Sequence, residues 1–467
     1  MHEVGERRHV LISGTARRFS VIAGGPQAAW RGFPPECNTG SRRVGSRSRA
    51  VRPRLPLRSA PLSRSHTLTL VRDGDFRNLW IVGAIGGVSR WLEMLVIGIY
   101  VFDQTGSPFL VASMLLLRML PMGLFGAFGG IVAERFDRRR VLIAVMVTMM
   151  LLAGGQAALS AAGMLEVWHV GVGAFIAGLV WVTDFPVRRT LMGEIAGAER
   201  TGAAMSLDIM SSSGTRMLGP VLGGALYADV GMFGAFALTA IGYACAVAML
   251  LRLRRPERAQ PSVHEGTIAT LRAGFAELRG NRTLVGIFVV TIIFNIWAFP
   301  FTSMIPVIGK DVLLLEPDAV GLLASAEGVG AFLGAVGLAV LAAAAWYRRL
   351  YFYGVALYLA IVLVFALSET VWLSFLSLVI GGLASAAFAS MQSALVLLNA
   401  SAASKGRMMG VLSMCIGTGL IGFLHLGLMA DWLGASTACV VIALEGLVAL
   451  AISGWLWPEL LRAQPRS

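Results

Sequence analysis

From about residue 76 onward, long apolar runs alternate with short breaks that hold charged, glycine or asparagine residues. An α-helix rises about 1.5 Å per residue, so a run of about 20 residues crosses the hydrocarbon layer of a bilayer. The pattern predicts twelve such helices, and hence an all-α polytopic membrane protein. The predicted helices cover residues 79–102, 109–133, 141–162, 167–187, 203–228, 232–253, 284–308, 319–346, 350–367, 371–399, 407–430 and 436–457.

The longest break within this pattern, residues 254–283, separates two groups of six helices. Apolar residues recur within it at steps of three and four, which predicts an amphipathic helix on the cytoplasmic membrane face. These residues are Ile268, Leu271, Phe275 and Leu278. We therefore expect two six-helix bundles, at 76–253 and 284–458, joined by this linker and followed by a short tail at 459–467.

The composition excludes a soluble protein. Of the 467 residues, 56% are hydrophobic and only 14% are charged, so most of the apolar surface must face lipid. The net charge is +13, which in a soluble protein would suggest nucleic acid. Here the cations lie in short loops and in the N-terminal segment, so we expect no nucleic-acid partner. The 4 cysteines and 6 histidines show no spacing typical of disulfide frameworks or metal sites.

The loops alternate in charge along the chain. One set is rich in arginine and comprises 135–140, 188–200, 252–258, 348–349, 405–407 and 462–466. The other set holds acids and a single cation, Lys310, and comprises 103–106, 163–166, 229–231, 310–318, 368–369 and Asp431. Loops rich in Lys and Arg stay in the cytoplasm, which predicts a multi-pass protein of the inner (plasma) membrane with both termini cytoplasmic.

The loop between the second and third predicted helices reads Gly130-Ile-Val-Ala-Glu134-Arg135-Phe-Asp137-Arg138-Arg139-Arg140. This order of glycine, acid and basic residues resembles the loop signature of the major facilitator superfamily. Asp137 replaces a common glycine, as in the macrolide-efflux and enterobactin-exporter branch. The resemblance, which covers about 72–458, implies a gating loop made of Gly130, Glu134, Arg135, Asp137, Arg138 and Arg139. An ordinary positively charged cytoplasmic loop is the alternative.

Residues 1–75 are rich in Arg, Ser, Pro and Gly and lack grouped apolar side chains, which predicts a disordered tail. Three interpretations stay open: a transit-like tail, a tether to the lipid surface, or sequence upstream of the true start codon. We favour the last, because the family resemblance begins only near Arg72. Deletion of residues 1–65 is then expected to leave membrane insertion and transport intact, and loss of the membrane protein would contradict this interpretation.

The fifth predicted helix carries a stripe of small residues with a proline, which predicts a kinked surface for close helix packing. Its residues are Gly214, Arg216, Gly219, Pro220, Gly223 and Gly224. The stripe resembles the Gly-Pro motif of facilitator-family antiporters, and that resemblance implies export rather than import. Generic close packing is the alternative.

Several charged residues lie within the apolar runs. Such residues are costly at lipid depth, so they usually face the bundle interior and either pair or titrate. Arg90 and Glu93 are three residues apart on one helix face, a spacing that would allow them to pair. Because buried carboxylates can take up and release protons, Glu93, Glu327 and Asp208 are the candidates for proton coupling. A purely structural role in ion pairs is the alternative.

The family resemblance places the first, fourth, seventh and tenth helices around the substrate. The candidates for the cavity wall are Trp91, Trp181, Asn295, Trp297, Phe301, Met391 and Gln392. Aromatic and methionine side chains suit varied amphipathic substrates because they pack adaptably. Ordinary core packing is the alternative, and the lone His425 is interpreted as structural.

No phosphate loop, zinc motif, nucleophile elbow or nicotinamide fingerprint is found, so we expect no cofactor, no metal, no catalytic residues and no enzymatic activity. The resemblance implies a monomeric secondary transporter in the bilayer. It would export a drug or a siderophore-like metabolite by alternating access, driven by protons. The rivals are an uptake transporter of the same fold and a non-transporting membrane scaffold or sensor.

Overall fold

The computed structural model describes residues 69–462 except 198–199, 255–277, 279, 342–345 and 401–404. Side chains at 127–135, 339–341 and 405–407 also lie outside the described part. The predicted tail at 1–75 is therefore described only from residue 69, and almost all of the amphipathic helix predicted in the linker lies outside the described residues.

The first half contains six helices in up-and-down order. They are α1 (Gly74–Thr105), α2 (Pro108–Arg135), α3 (Arg138–Ala161), α4 (Val167–Ala196) and the run Thr201–Arg252, which holds α5 and α6. An aspartate caps α1, since the Asp73 carboxylate accepts hydrogen bonds from the backbone N–H groups of Asp75 at 3.0 Å and Phe76 at 3.3 Å.

A single glycine divides α5 from α6. The run Thr201–Arg252 has 52 residues, and a straight helix of that length would measure about 78 Å, more than twice the hydrocarbon thickness. Gly231 interrupts the run with φ 67° and ψ −158°, a backbone conformation that favours glycine. The break falls in the predicted loop, so α5 (201–230) and α6 (232–252) are two membrane crossings.

The second half repeats the arrangement. Its helices are α7 (Arg282–Asp311), α8 (Pro317–Leu341), α9 (Tyr347–Ala366), α10 (Val371–Asn399), α11 (Lys405–Gly417 and Gly419–Leu433) and α12 (Ala435–Leu456). Among the described residues, eleven helices are long and apolar enough to span a membrane, and the one divided at Gly231 spans it twice. The predicted all-α fold with twelve spans is confirmed.

The helix α7 is not a uniform α-helix. Its α-helical first part, Arg282–Ile293, continues as a π-helix over Phe294–Ala298, then as a 3₁₀ segment over Phe299–Met304, before α-helix resumes at Ile305–Asp311. Such segments within a long helix are rare and frequently lie at functional sites or hinges. The middle of α7 is therefore the part of the second half that departs most from regular geometry.

The helix α4 is longer than predicted. It was expected to end at residue 187, before a basic loop, but it continues to Ala196. Arg188 is only 7% exposed, because Asp208 of α5 accepts a hydrogen bond from its guanidinium at 2.6 Å. The neighbouring carboxylate stabilises the cation within the helix, so hydropathy alone placed the helix end too early.

The two halves meet along α5 and α8. A Cβ atom on Gly224 would lie 2.5 Å from the carbonyl oxygen of Pro317, and one on Gly328 would lie 2.5 Å from the backbone nitrogen of Met217. Real Cβ atoms do not approach backbone atoms this closely, so these close backbone contacts between the two helices require glycine.

Candidate functional site

A small cavity lies between the two halves. Its walls come from α1, α2, α5, α7 and α8, and its volume is about 50 Å³. The lining residues are Trp91, Met94, Leu95, Gly98, Val111, Leu115, Arg216, Pro220, Thr302, Ser303, Ile305, Pro306, Ala324 and Glu327. Pockets for drug-sized ligands measure about 300–1,000 Å³, so this space suits a few water molecules rather than a molecule of that size.

A buried ion pair crosses from one half to the other at this cavity. Arg216 of α5 donates a hydrogen bond to Glu327 of α8, and their side chains are 17% and 4% exposed. The O–H of Tyr358 in α9 donates to the same carboxylate at 2.9 Å. On its other side, the guanidinium carbon of Arg216 lies 4.9 Å from the ring centre of Trp91. The structure thus joins a residue of the α5 motif to a predicted proton-coupling carboxylate.

The α5 motif packs this helix against α1 as well as α8. A Cβ atom on Gly219 would lie 2.5 Å from the Cβ atom of Trp91, and one on Gly223 would lie 3.1 Å from a backbone oxygen of α1. Pro220 lines the cavity, whereas Gly214 has open space around it. The stripe of small residues therefore fixes where Arg216 sits relative to both neighbours.

A second buried ion pair lies within the first half. Glu93 of α1 and Arg118 of α2 are 4% and 5% exposed, and their side chains are 3.2 Å apart. The pairing that the spacing of Arg90 and Glu93 allows does not form, because the carboxylate is bound by Arg118. The guanidinium carbon of Arg90 instead lies 4.8 Å from the ring centre of Trp181 in α4.

The third carboxylate candidate, Asp208, lies in an ion-pair cluster of the first half. It accepts hydrogen bonds from Arg188 at 2.6 Å and from Arg189 at 2.9 Å. A carboxylate held by two guanidinium groups is stabilised in its charged form. This geometry favours a structural role, and proton coupling at Asp208 stays a prediction.

Four of the predicted substrate contacts lie in the packed interior of the second half. The amide nitrogen of Asn295 donates to the Thr291 carbonyl at 2.8 Å, and that of Gln392 donates to the Thr291 hydroxyl at 3.2 Å. Phe301 packs edge-on against another ring, and Met391 is 6% exposed. Their role in substrate binding stays a prediction, whereas Trp91 does line the cavity.

Trp297 lies in a different polar cluster. Its indole N–H donates to Glu445 of α12 at 2.9 Å, and the same carboxylate is 2.8 Å from Nε2 of His425 in α11. His425 is therefore paired rather than isolated. The cluster ties the π-helical part of α7 to the last two helices.

The predicted gating loop is described in part. Asp137 caps α3 by accepting from the N–H of Arg140 at 2.9 Å, and Arg138 donates to Glu194 at the end of α4. Arg139 donates to the carbonyls of residues 250 and 251 at 2.9 and 2.7 Å. The side chains of Gly130, Glu134 and Arg135 lie outside the described residues, so gating by this loop stays a prediction.

The end of the molecule that carries the acidic loops, here called the acidic-loop end, has two polar contacts between the halves among the described residues. The ammonium of Lys310, in the last turn of α7, lies 2.7 Å from the carboxylate of Asp103, in the last turn of α1. The hydroxyl of Ser107 donates to Asp431 at the end of α11 at 3.0 Å.

At the opposite, arginine-loop end, the described polar contacts join helices of the same half. Arg139 binds the end of α6 within the first half. In the second half, the amide of Asn281 donates to the carbonyl of Asn399 at 2.9 Å. Among the described residues, polar contacts between the halves thus lie at the cavity and at the acidic-loop end.

Sequence reasoning missed Tyr358 and the polar residues Thr302 and Ser303. Tyr358 is 1% exposed and its hydroxyl bonds Glu327. A phenol inside an apolar run needs a hydrogen-bond partner, and this was the available signal. The partner itself comes from another helix, which no local pattern reveals.

Comparison with known proteins agrees with this architecture. A family model described as transmembrane secretion effector matches residues 65–458. Macrolide efflux protein A of Streptococcus pyogenes is 22% identical over 241 residues, which are 50% of this chain and 59% of that protein. The protein of the same name from Enterococcus faecalis is 24% identical over 43% of this chain and 63% of its own length. The matches thus span less than two thirds of these relatives.

Solved transporters share the fold. A bacterial homologue of the human lysosomal transporter Spinster, in an inward-facing and unoccupied conformation, has a TM-score of 0.65 at 13% identity and covers 86% of this chain and 100% of its own. A POT family transporter in complex with a thioalcohol-conjugated peptide has a TM-score of 0.68 at 14% identity, over 83% and 96%. The chain therefore belongs to the transmembrane secretion effector family of the major facilitator superfamily of membrane transporters.

Proposed function

We propose that this transporter exports an amphipathic small molecule, such as a drug or a siderophore-like metabolite, by alternating access and in exchange for protons. The observation that carries the proposal is the buried Arg216–Glu327 pair, which joins the two halves beside the cavity. A charged pair at this position is costly to bury and is retained where it serves a pathway or a switch.

The cavity supports a mechanism in which the halves move. At about 50 Å³ it is too small for an amphipathic molecule, so the halves must part for one to bind. The contacts between the halves at the acidic-loop end support closure of that end in the present conformation. With the arginine loops in the cytoplasm, this conformation would be closed to the outside.

Protonation of Glu327 would weaken the contact between the halves. Its carboxylate is bound by Arg216 and by the hydroxyl of Tyr358, and a proton would remove the negative charge that attracts the Arg216 guanidinium. A substrate that binds near Arg216 would compete for the same pair. Without a proton or a substrate, the ion pair would hold the two halves together. Binding of either one would allow the halves to move. A carrier that moves only when loaded exchanges its two ligands and does not leak.

Export is favoured over uptake by two observations. The two macrolide efflux proteins are similar to this chain over about half its length, and their name states efflux. The α5 stripe also matches the antiporter-type Gly-Pro motif, with Pro220 at the cavity wall. The gating loop and the carboxylates Glu93 and Asp208 keep their proposed roles as latch and as further coupling candidates.

The test is transport by the intact chain. Fluorescent dyes and macrolide antibiotics are screened for lower accumulation in overexpressing cells than in deletion cells. The best compound is then added to proteoliposomes that contain the purified protein and a pH-sensitive dye. We expect a proton flux opposite in direction to the compound and dependent on its concentration. Higher accumulation on overexpression would indicate uptake, and a complete absence of flux would indicate a scaffold or sensor.

A further inference from the structure

Arg90 is a cation within the first half that has no ion pair or hydrogen bond among the described residues. The other arginines around it each form an ion pair: Arg118 is 3.2 Å from Glu93, and Arg188 and Arg189 both bind Asp208. Arg90 is half-buried and stacks on Trp181 at 4.8 Å. An unpaired cation at lipid depth is expensive, and such residues usually mark a substrate path.

Arg90 lies close to the cavity along α1. Residues four apart lie on the same helix face, so Arg90 shares a face of α1 with Met94, which lines the cavity. The backbone of Arg90 therefore lies about one helical turn from that lining residue, toward the arginine-loop end. Trp181 supplies the facing surface from α4.

The charged cluster around Arg90 has more cations than carboxylates. Four arginines, Arg90, Arg118, Arg188 and Arg189, accompany three carboxylates, Glu93, Asp184 and Asp208. The charged and titratable groups that act on Arg90 itself are Arg118 of α2, Asp184 and Arg188 of α4, and Tyr243 of α6.

The hydrogen-bond donors of this cluster are not all satisfied. Of the carboxylates, Asp184 comes no closer than 3.7 Å to Arg188. The buried indole N–H of Trp181 and Nε of Arg188 have no acceptor among the described residues, and Oδ1 of Asp184 has no donor. The cluster thus holds one more arginine than carboxylates, and its polar groups are not all satisfied by one another.

We propose that Arg90, held flat against Trp181, binds the carboxylate of the transported molecule, which makes the substrate an amphipathic organic anion. This inference rests on the proposed export function and specifies its substrate class. A guanidinium offers two parallel N–H groups to a carboxylate, and its stacking on the indole fixes the orientation beforehand. The apolar body of the substrate would extend along α1 toward Met94 and Trp91, on the cavity wall.

The test compares three probes that differ in one group. Pyrenebutyrate, pyrenebutanol and pyrenebutylamine share an apolar body and are anionic, neutral and cationic. Their binding to the purified full-length protein in detergent is measured by energy transfer from tryptophan. Charge-assisted hydrogen bonds contribute enough that we expect the wild-type protein to bind the butyrate about tenfold more tightly than the butanol. Tighter binding of the amine than of the butyrate would overturn the proposal.

Variants locate the effect. Arg90→Gln is expected to weaken butyrate binding about tenfold and to leave butanol binding unchanged, whereas Arg90→Lys retains part of the preference. Arg349→Gln is the matched control, because Arg349 also stacks on an indole, that of Trp346 at 5.3 Å, outside the charged cluster. Equal loss in both glutamine variants would contradict the assignment. If Arg90→Gln does not fold, Arg90→Lys replaces it, and butyrate binding as tight as in the wild type would then contradict the assignment.

The same probes separate this inference from the proposed function. If the neutral or cationic probe is transported without preference for the butyrate, the proposed export function stands and the carboxylate site at Arg90 is wrong. Binding of the butyrate through Arg90 without transport of any compound would retain the site and reject export.

Discussion

Two buried ion pairs with the same chemistry lie at different places in this transporter. Arg216–Glu327 joins α5 of the first half to α8 of the second, and Glu93–Arg118 joins α1 to α2 within the first half. Each carboxylate is at most 4% exposed. A pair within one rigid half stabilises that half in every conformation. A pair between halves exists only while they touch, so its charge state can change the balance between conformations.

The largest effect is expected from neutralising the two carboxylates. Loss of one partner of a buried pair costs about 3–5 kcal/mol in the conformation that holds it. Glu327→Gln should therefore shift the ratio of closed to open conformations about a hundredfold or more. Glu93→Gln should lower thermal stability without changing that ratio. Spin-label distances and melting curves measure the two outcomes.

Both glutamine variants are also expected to lose pH-driven efflux while they are expressed normally, because each removes a carboxylate that can carry a proton. Efflux is compared in cells with and without an imposed pH gradient. Unchanged drive in both variants would remove Glu93 and Glu327 from the coupling mechanism and leave the pairs purely structural.

Two glycines allow the same comparison, between the halves and within one half, without a change of charge. A Cβ atom on Gly328 would lie 2.5 Å from the backbone of α5 across the halves, and one on Gly178 would lie 2.2 Å from the Arg118 carbonyl within the first half. Gly328→Ala should push the halves apart and reduce transport. Gly178→Ala should lower the melting temperature, since overpacking costs about 1–3 kcal/mol.

The matched control for both alanine variants is Gly214→Ala, because Gly214 lies in α5 with open space around it. We expect wild-type transport and stability from this variant. If it impairs transport as much as Gly328→Ala does, helix contact across the halves is not the cause.

A smaller effect is expected from a helix cap within the first half. Asp137 accepts from the N–H of Arg140, and removal of such a cap costs about 1 kcal/mol. Asp137→Ala should therefore lower the melting temperature slightly and leave the distance between the halves unchanged. A change in that distance would show that the loop acts between conformations and not only within its half.

The smallest effect is expected at the acidic-loop end. Lys310 and Asp103 lie 2.7 Å apart with about a quarter of each side chain exposed, and such pairs contribute about 0–1 kcal/mol. Lys310→Gln should increase labelling of engineered cysteines near this end less than about fivefold. The difference in labelling between the wild type and the variant should shrink at high salt, because salt screens the exposed ion pair of the wild type.

The helices could be predicted from sequence because each depends on a local apolar run and its capping residues. The end of α4 could not, since Arg188 stays in the helix only through Asp208 on another helix. The candidate site also depends on contacts between different helices. Glu327 and Arg216 were each visible as charges at lipid depth, but their pairing depends on the close approach of α5 and α8.

Local spacing also misled where the partner is distant. Arg90 and Glu93 are correctly spaced to pair along one helix, yet Arg118 of the next helix takes the carboxylate. The indole of Trp297 bonds Glu445 on α12, a partner that no local pattern in α7 indicates, and its role in the cavity wall stays a prediction. These contacts are set by tertiary packing, which single-helix periodicity does not contain.

The most direct test of a proton-sensitive contact between the halves is a distance across the acidic-loop end. Spin labels at the exposed positions Gln104 and Val312, in a protein whose native cysteines are replaced, report the separation of the two halves. We predict one short distance at alkaline pH, and an added longer distance at acidic pH and in Glu327→Gln. An identical distance distribution in all three samples would contradict the account.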